Sequence, residues 1–185
     1  NDGISLVQTA EGAMDEISGM LIRMRELAVQ SASGTTNTDQ KGFLNNEFDQ
    51  LHTEISRIAN STQFNGTYLL NADSSMTLQI GAGTSTSNDQ ITVTLKNVGA
   101  NASYMASIST DNIASAAAAL TSVTNIDTAI KNLSEQRGKL GAFQNRLSST
   151  VRNLATTREN LSASNSRIRD VDVASESVSL TRSQI

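Results

Sequence analysis

The stretch that decides the fold runs from residue 126 to residue 168 and reads IDTAIKNLSEQRGKLGAFQNRLSSTVRNLATTRENLSASNSRI. An apolar residue recurs at every seventh position, at Ile126, Leu133, Leu140, Leu147, Leu154, Leu161 and Ile168. A seven-residue repeat places its members on one stripe of an α-helix. As a helix, this stretch would be about 65 Å long at about 1.5 Å per residue. The sequence therefore predicts a long C-terminal helix within residues 126–185.

Two shorter amphipathic helices are predicted at the start of the chain. Apolar residues of the first alternate in steps of three and four, at Val7, Ala10, Met14, Ile17, Leu21, Met24 and Ala28. The polar run SASGTTN at residues 31–37 ends this helix. A second helix is expected to begin near Thr38 or Asp39, where either side chain can cap free N–H groups. Its apolar stripe comprises Leu44, Phe48, Leu51, Ile55 and Ile58.

The middle of the chain changes to a period of two. Apolar residues alternate with polar ones from Met76 to Ile80 and again from Ile91 to Leu95, which predicts a small β-hairpin. A turn is expected through Asn65 and Gly66. Residues 97–111 read as a polar connection, and the Ala-rich run from Ile113 to Leu120 predicts a short separate helix.

None of these helices can bury its apolar stripe alone, so the helices from the two chain ends are expected to pack together. The chain has no Pro, Cys or Trp and few aromatic residues, which favours thin packing between uninterrupted helices. We predict a mainly α fold: an elongated bundle of long helices with a small β-hairpin. One domain, 1–185, is divided into N-terminal helices (1–59), turn and hairpin (60–96), linker and short helix (97–125) and long helix (126–185).

Charge and composition argue against several classes of partner. The chain has 18 Asp and Glu against 14 Lys and Arg, without a dense basic block, which disfavours nucleic acids and anionic membranes as partners. No apolar run approaches the roughly 18 residues that indicate a membrane span. Without Cys, neither disulfides nor thiolate metal ligands are available.

The residues that could carry catalysis do not form a convincing site. His52 is the single histidine, and a partly buried or surface role is expected for it rather than metal binding. Asp170 and Asp172 are two residues apart and point to different faces of a helix, which is poor geometry for paired acid–base chemistry. Gly81-Ala82-Gly83 lies in the predicted hairpin loop and opens no helix that could bind phosphate. We therefore predict no catalytic, cofactor or metal site and no enzyme activity.

Several ordered motifs resemble bacterial flagellins. The N-terminal ones read NDGISLVQTAEGA (1–13), RMRELAVQSA (23–32) and TQFNG (62–66), and the C-terminal ones read LGAFQNRL (140–147) and SRIRDVD (166–172). The resemblance covers nearly the whole chain outside residues 97–125. It implies the helical rod domain of a flagellar filament subunit, without the terminal coiled-coil segments and with the variable outer domains absent or reduced.

The resemblance also implies partners and location. Flagellins are secreted through the flagellar channel and assemble with other subunits into the extracellular filament, a motility structure. Heterologous, non-closing contacts between copies generate such a filament. The chain as given is expected not to polymerise alone, because the missing ends would form the inner tube. The alternatives are the related hook–filament junction protein and a dedicated signalling ligand or adhesin built on the same rod.

A second implied partner is the innate immune sensor Toll-like receptor 5, with Arg23, Leu27 and Glu47 at the matching positions. Arg23 and Leu27 are four residues apart and so share a helix face outside the seven-residue stripe, which fits an interface anchor. Alternatively, Leu27 widens the core stripe and Arg23 and Glu47 are solvated charges.

Overall fold

The computed structural model describes residues 1–100, 102–109, 111–169 and 173–184. Its helices and strands are α1 (Asp2–Ala32), α2 (Thr38–Ser61), β1 (Gln63–Phe64), β2 (Thr67–Tyr68), β3 (Ser74–Gln79), β4 (Gln90–Leu95), a 3-10 helix (Ser103–Ile108), α3 (Ala116–Arg169) and α4 (Val173–Ser183). The predicted mainly α class with helices from both chain ends and a small β-hairpin is confirmed.

Helix α1 buries the stripe that its sequence predicts. All seven predicted stripe residues from Val7 to Ala28 are fully buried. Leu6 and Leu27 are buried beside them, so the buried face is wider than the strict alternation of three and four indicates. Gly12 and Gly19 are weak helix formers, but the helix continues through both because its apolar face is continuous along its length.

Helix α2 begins with a reciprocal cap one residue before the predicted start. The Asn37 side chain accepts a hydrogen bond from the Gln40 amide at 2.8 Å, and the Gln40 side chain accepts one from the Asn37 amide at 3.1 Å. This capping box satisfies two amides at the helix start, and Asn is as good a cap as Asp. The helix buries Phe48, Ile55 and Ala59.

Two antiparallel strand pairs lie between α2 and the 3-10 helix. The predicted turn at Asn65 and Gly66 joins β1 to β2, and both residues have positive φ angles of 48° and 79°. Asn and Gly are the residues that tolerate this conformation in two-residue hairpin turns. The predicted larger hairpin is β3–β4, in which Met76 pairs with Val93. One face of β4 is buried through Ile91, Val93 and Leu95.

The prediction of a short separate helix from Ile113 to Leu120 is wrong. Its Ala-rich residues form the first turns of α3, which begins at Ala116 and continues to Arg169. No helix-breaking residue stands between Leu120 and Ile126, and helix propagation needs no new nucleation there. The chain before α3 contains instead a 3-10 helix whose Met105 and Ile108 are buried.

The structure divides into two compact units, Asn1–Asn145 and Arg146–Ile185. The core of the first unit combines α1, α2 and the first part of α3 with β4 and the 3-10 helix. Ile126, Leu133 and Leu140 represent α3 in this core, so the predicted packing of the two chain ends is confirmed there. The predicted four-part division of the domain stays a prediction.

Candidate interaction surface

Arg23 and Glu47 meet across α1 and α2. The Arg23 Nε donates to Glu47 Oε1 at 2.9 Å, and Nη2 lies 2.7 Å from the same oxygen. Arg23 Nη1 also donates to Glu26 Oε2 at 3.1 Å, one turn along α1. The hydrogen bond with Glu47, then that with Glu26, raises the pKa of Arg23 above its usual value. All three side chains remain close to half-exposed, so the cluster is available to a partner.

Leu27 does not belong to this exposed cluster. Its side chain is fully buried and belongs to the hydrophobic core. The interpretation of Leu27 as an exposed interface anchor is therefore wrong, and the alternative, that it widens the core stripe, holds. The physical reason is that position 27 lies next to Met24 and Ala28 on the helical wheel, within the roughly 100° that a core-facing helix buries. Its receptor-binding role stays a prediction without a direct contact to support it.

Three apolar side chains surround the charged cluster. Ile22 and Val29 on α1 are about half-exposed, at 51% and 50%, and Phe43 on α2 is 73% exposed. Ile22, Glu26 and Val29 share one face of α1 through spacings of four and three, and Phe43 lies one turn before Glu47 on α2. We call Ile22, Arg23, Glu26, Val29, Phe43 and Glu47 the helix-pair surface.

The sequence analysis missed the apolar part of this surface. Its signal was present, because Phe43 precedes the α2 stripe that begins at Leu44 and Ile22 and Val29 lie outside the α1 stripe. Next to Phe43, a shallow groove of about 480 Å³ follows the α1–α2 turn. Its lining combines polar and apolar surface and includes Gln30, Ser33, Thr36 and Gln40.

Polar contacts fix α3 against its neighbours in the first unit. Arg25 and Asp127 approach to 2.7 Å, and Arg137 and Asp15 to 2.9 Å, so two ion pairs join α1 to α3. The buried Gln136 donates from Nε2 to the Thr94 carbonyl of β4 at 2.8 Å. These contacts hold α1 and β4 against α3, and no sequence pattern predicted the pairs.

Tyr104 and Asn132 form a further reciprocal contact. The Tyr104 hydroxyl donates to the Asn132 carbonyl at 2.8 Å, and Asn132 Nδ2 donates to the Tyr104 carbonyl at 2.9 Å. The 3-10 helix is thereby bound to α3, which positions the connection that leads from the β-hairpin to the long helix.

The residues considered for catalysis are placed apart. His52 is half-buried on α2, as predicted, whereas Asp170 and Asp172 lie outside the described residues. Gly81 and Gly83 lie in the loop between β3 and β4, where a side chain at either position would overlap the Asp89 carboxylate. In the described ranges, no three His, Asp or Glu residues come together as a metal site would require.

The second unit carries an exposed apolar row. Leu154, Leu161 and Ile168 of α3 are 46%, 66% and 84% exposed, although they continue the seven-residue repeat of the buried residues. Val178 and Leu180 of α4 are also more than half-exposed. We call Leu154, Leu161 and Ile168 the C-terminal apolar row. Exposed apolar residues in regular spacing are typical of surfaces that bind another helix.

Fold and surface together define a helical structural protein. Across the described residues, no helix combines the length and the apolar character that crossing a membrane requires. The model of the bacterial flagellin N-terminal helical region matches residues 1–75, and that of the bacterial flagellin C-terminal helical region matches residues 123–185. The chain belongs to the bacterial flagellin family.

Similar proteins agree with this assignment. A flagellin of Halalkalibacterium halodurans is 46% identical over 184 residues, covering the whole chain and 66% of that protein. A Bacillus subtilis flagellin is 37% identical, covering the whole chain and 70% of that protein. The crystal structure of Bacillus cereus flagellin superposes with a TM-score of 0.70 at 31% identity, over 88% of this chain and 92% of that one. The chain thus spans about two thirds of the length of these curated relatives.

Family membership decides two predictions. Flagellins are structural proteins of the bacterial flagellar filament, an extracellular structure, so the prediction of a structural protein rather than an enzyme is confirmed. The relatives named above carry the name flagellin, which favours a filament subunit over the hook–filament junction protein.

Proposed function

We propose that this chain is the helical part of a secreted flagellar filament subunit and contacts other subunits through surfaces that it leaves exposed. The observation that carries this proposal is the C-terminal apolar row. Three members of an unbroken seven-residue repeat remain uncovered in this chain, and burial of such a row against a further helix is favourable by roughly 25 cal/mol per Å² of apolar area. A filament subunit has partners that can cover it.

A chimera in Bacillus subtilis tests incorporation into a filament. In a strain without its own flagellin, this chain would replace the 37% identical region of the Bacillus subtilis flagellin, whose remaining segments are kept. We expect secreted chimera, filaments in electron micrographs and restored swimming. A matched chimera with Leu154, Leu161 and Ile168 all changed to Asn should be secreted but form few filaments. Secretion of the first chimera without any filament would contradict the proposal.

The chain by itself is not expected to polymerise. The match leaves about a third of the relatives' length uncovered, and we propose that this remaining part supplies the contacts of the inner tube. Analytical ultracentrifugation over a wide concentration range should show no long polymers, and negative-stain micrographs should show no filaments. Filaments grown from the purified chain would contradict this expectation.

A second proposed property is recognition by Toll-like receptor 5 through the helix-pair surface. The supporting observation is that Arg23 and Glu47, which lie at the positions implied by resemblance, contact one another on two helices and stay about half-exposed. Ile22, Val29 and Phe43 add apolar area around the charged pair, a combination common at protein interfaces. Leu27 is buried in the core and is not part of the exposed surface.

Substitutions separate this receptor role from a purely structural one. Arg23→Ala and Glu47→Ala should each weaken binding to the receptor ectodomain without lowering helicity, because exposed ion pairs contribute little to folding. Arg57→Ala, which breaks an exposed pair with Glu54 elsewhere on α2, is the matched control and should bind like the wild type. Leu27→Ala should destabilise the fold as well, so its binding is compared at equal folded fraction. Unchanged binding by both of the first two variants would exclude this surface.

The alternative of a dedicated signalling ligand or adhesin makes a different prediction. Deletion of the gene in its native host should abolish the filament if the chain is a filament subunit. An intact filament with an altered host response would favour the ligand instead.

A further inference from the structure

Two buried side-chain atoms in the described part of the chain lack a hydrogen-bond partner, and the two side chains that carry them interact electrostatically. They are Nε2 of His52 on α2 and Oδ2 of Asp111, which lies just before α3. Buried polar atoms are satisfied in the great majority of cases, because an unpaired one has lost its hydrogen bonds to water without replacement. Two such atoms of opposite hydrogen-bonding character on interacting side chains therefore require an explanation.

The segment that carries Asp111 is held to α1, α2 and α3. The Ile113 amide donates to Asn45 Oδ1 at 2.8 Å, and the Ser31 hydroxyl donates to the Ile113 carbonyl. Ser122 Oγ donates to the Asn112 carbonyl at 3.0 Å. We call residues 111–113 the α3 linker. Side chains bind three of its backbone groups, and the Asp111 amide donates to the Ile108 carbonyl at 3.4 Å, so its position depends on a small number of polar contacts.

Asp111 itself is bound on one side only. Asn125 Nδ2 of α3 donates to Oδ1 at 2.8 Å, which leaves Oδ2 without a partner. Two carboxylates act to raise the pKa of His52 against the effect of burial: Asp49, three residues earlier on α2, and Asp111 from the α3 linker. From α3, the neutral side chains of Ser122 and Asn125 contact Asp111. Asp49 is exposed and accepts a hydrogen bond from Asn45 Nδ2 at 3.0 Å.

We propose that His52 and Asp111 form a pH-responsive latch that holds the α3 linker in place and is weakest in mildly acidic solution. In neutral solution the imidazole carries its proton on Nε2 and serves Asp111 Oδ2, directly or through one water molecule. Both atoms without a partner are thereby satisfied in a single contact. His52 is the one histidine of the chain, so this latch has a single imidazole.

The direction of the pH dependence follows from burial. Burial lowers the pKa of His52 against the opposing effect of Asp49 and Asp111. When the linker undocks, the solvated imidazole binds a proton near pH 6.5, so acidification from 6.5 downward favours the undocked state. Burial also raises the pKa of Asp111 from 3.8, against the hydrogen bond from Asn125 and the effect of His52. As pH rises above 3.8, the solvated Asp111 carboxyl loses its proton more readily than the buried one, so the docked state of the linker weakens. The effects of His52 and Asp111 therefore act together against docking only between pH 3.8 and pH 6.5.

NMR on the whole chain tests the contact through its single imidazole. Long-range ¹H–¹⁵N spectra at pH 7.5 should show the Nε2–H tautomer, which is also the major form in free histidine, so the comparison with Asp111→Asn decides. In Asp111→Asn the proton should move to Nδ1, because the new amide can donate to Nε2. Asp49→Asn is the matched control: it removes a carboxylate near His52 and should keep the Nε2–H tautomer. An Nδ1–H tautomer in the wild type would overturn the proposed contact.

Hydrogen exchange tests the latch. After correction for intrinsic exchange, the Ile113 amide should open measurably more often near pH 5 than at pH 7.5, because the undocked imidazole binds a proton more readily than the buried one. Toward pH 3.8 its opening should become rarer again. The amide of Leu133 in the core reports global opening, and its protection should show no minimum near pH 5. In Asp111→Asn, the recovery at low pH should disappear. A wild-type Ile113 profile that follows that of Leu133 at every pH would overturn the latch.

Discussion

Two parts of the same helix, α3, carry the same seven-residue repeat and end in opposite environments. Ile126, Leu133 and Leu140 in the first unit are fully buried, whereas Leu154, Leu161 and Ile168 in the second unit are about half to four fifths exposed. The residue types and the spacing are equal in both parts. The difference teaches that a repeat defines which face of a helix is apolar, while the presence of a partner decides whether that face is buried.

The physical basis is that the hydrophobic effect acts on area removed from water. A helix cannot bury its own stripe, so the free energy available from the repeat is gained only where other elements pack on it. In the first unit those elements are α1, α2 and β4. The C-terminal apolar row is the part of the repeat for which we propose a partner outside this chain.

The sharpest comparison is between equal substitutions in the two parts. Leu133→Ala should lower the free energy of unfolding by about 2–5 kcal/mol, because it removes buried methyl groups and leaves a cavity. Leu161→Ala should change it by less than about 0.5 kcal/mol, because the side chain is 66% exposed. Urea unfolding monitored by circular dichroism measures both. Equal losses would mean that the second row is covered in solution.

A smaller effect is expected from the buried polar contact of α3. Gln136→Leu leaves the Thr94 carbonyl without its donor, so we expect a loss of about 1–3 kcal/mol. Gln8→Leu on the exposed side of α1 is the control, with an expected change within about 0.5 kcal/mol. If Gln136→Leu were neutral in urea unfolding, burial alone would hold β4 on α3.

The ion pairs of the first unit should matter less. Asp15→Asn removes the pair with Arg137 and should lower the free energy of unfolding by about 0.2–1 kcal/mol at low salt. The loss should shrink in 1 M salt, where charges are screened within about 3 Å. Differential scanning calorimetry at two salt concentrations checks this. A loss that is independent of salt would indicate a contact other than charge attraction.

The smallest effect concerns Glu135 on α3. Its hydrogen bond with Lys139 at 2.7 Å lowers the pKa of the carboxyl from 4.5. A lowered pKa stabilises the folded state above pH 4.5, and this contribution disappears as pH falls through the lowered value. Glu135→Gln should therefore lower the Tm slightly at pH 7 and leave it unchanged at pH 3. An equal decrease at both pH values would show that the charge is not responsible.

The sequence predicted most helices and the larger hairpin because their patterns are local. The seven α1 stripe residues are all buried, and the period-two segments pair as β3 and β4. The predicted start of α2 near Thr38 is confirmed, but Asn37 rather than Thr38 or Asp39 caps it, and the Ala-rich segment continues into α3; both errors have local causes. Both sets of alternatives are chemically close, so pattern alone does not separate them.

The candidate surface was only partly predictable. Resemblance to flagellins indicated Arg23, Leu27 and Glu47, but the contact between Arg23 and Glu47 depends on how α1 packs on α2. The sequence did not separate an interface role from a core role for Leu27. At the edge of a helix stripe, a rotation smaller than the roughly 100° between successive residues decides whether a side chain is buried or exposed. Ile22, Val29 and Phe43 belong to the surface because no other element of the described chain covers them.

By itself, the sequence determined the helical periods, the position of the hairpin turns and the membership in the flagellin family. These properties depend on residues close together in the chain or on ordered motifs. The tertiary structure alone decided which half of the α3 repeat is buried, which charges pair across helices, and that His52 and Asp111 each keep a buried atom without a hydrogen-bond partner. The reason is that burial and pairing between distant residues depend on the relative placement of whole elements, which no local pattern records.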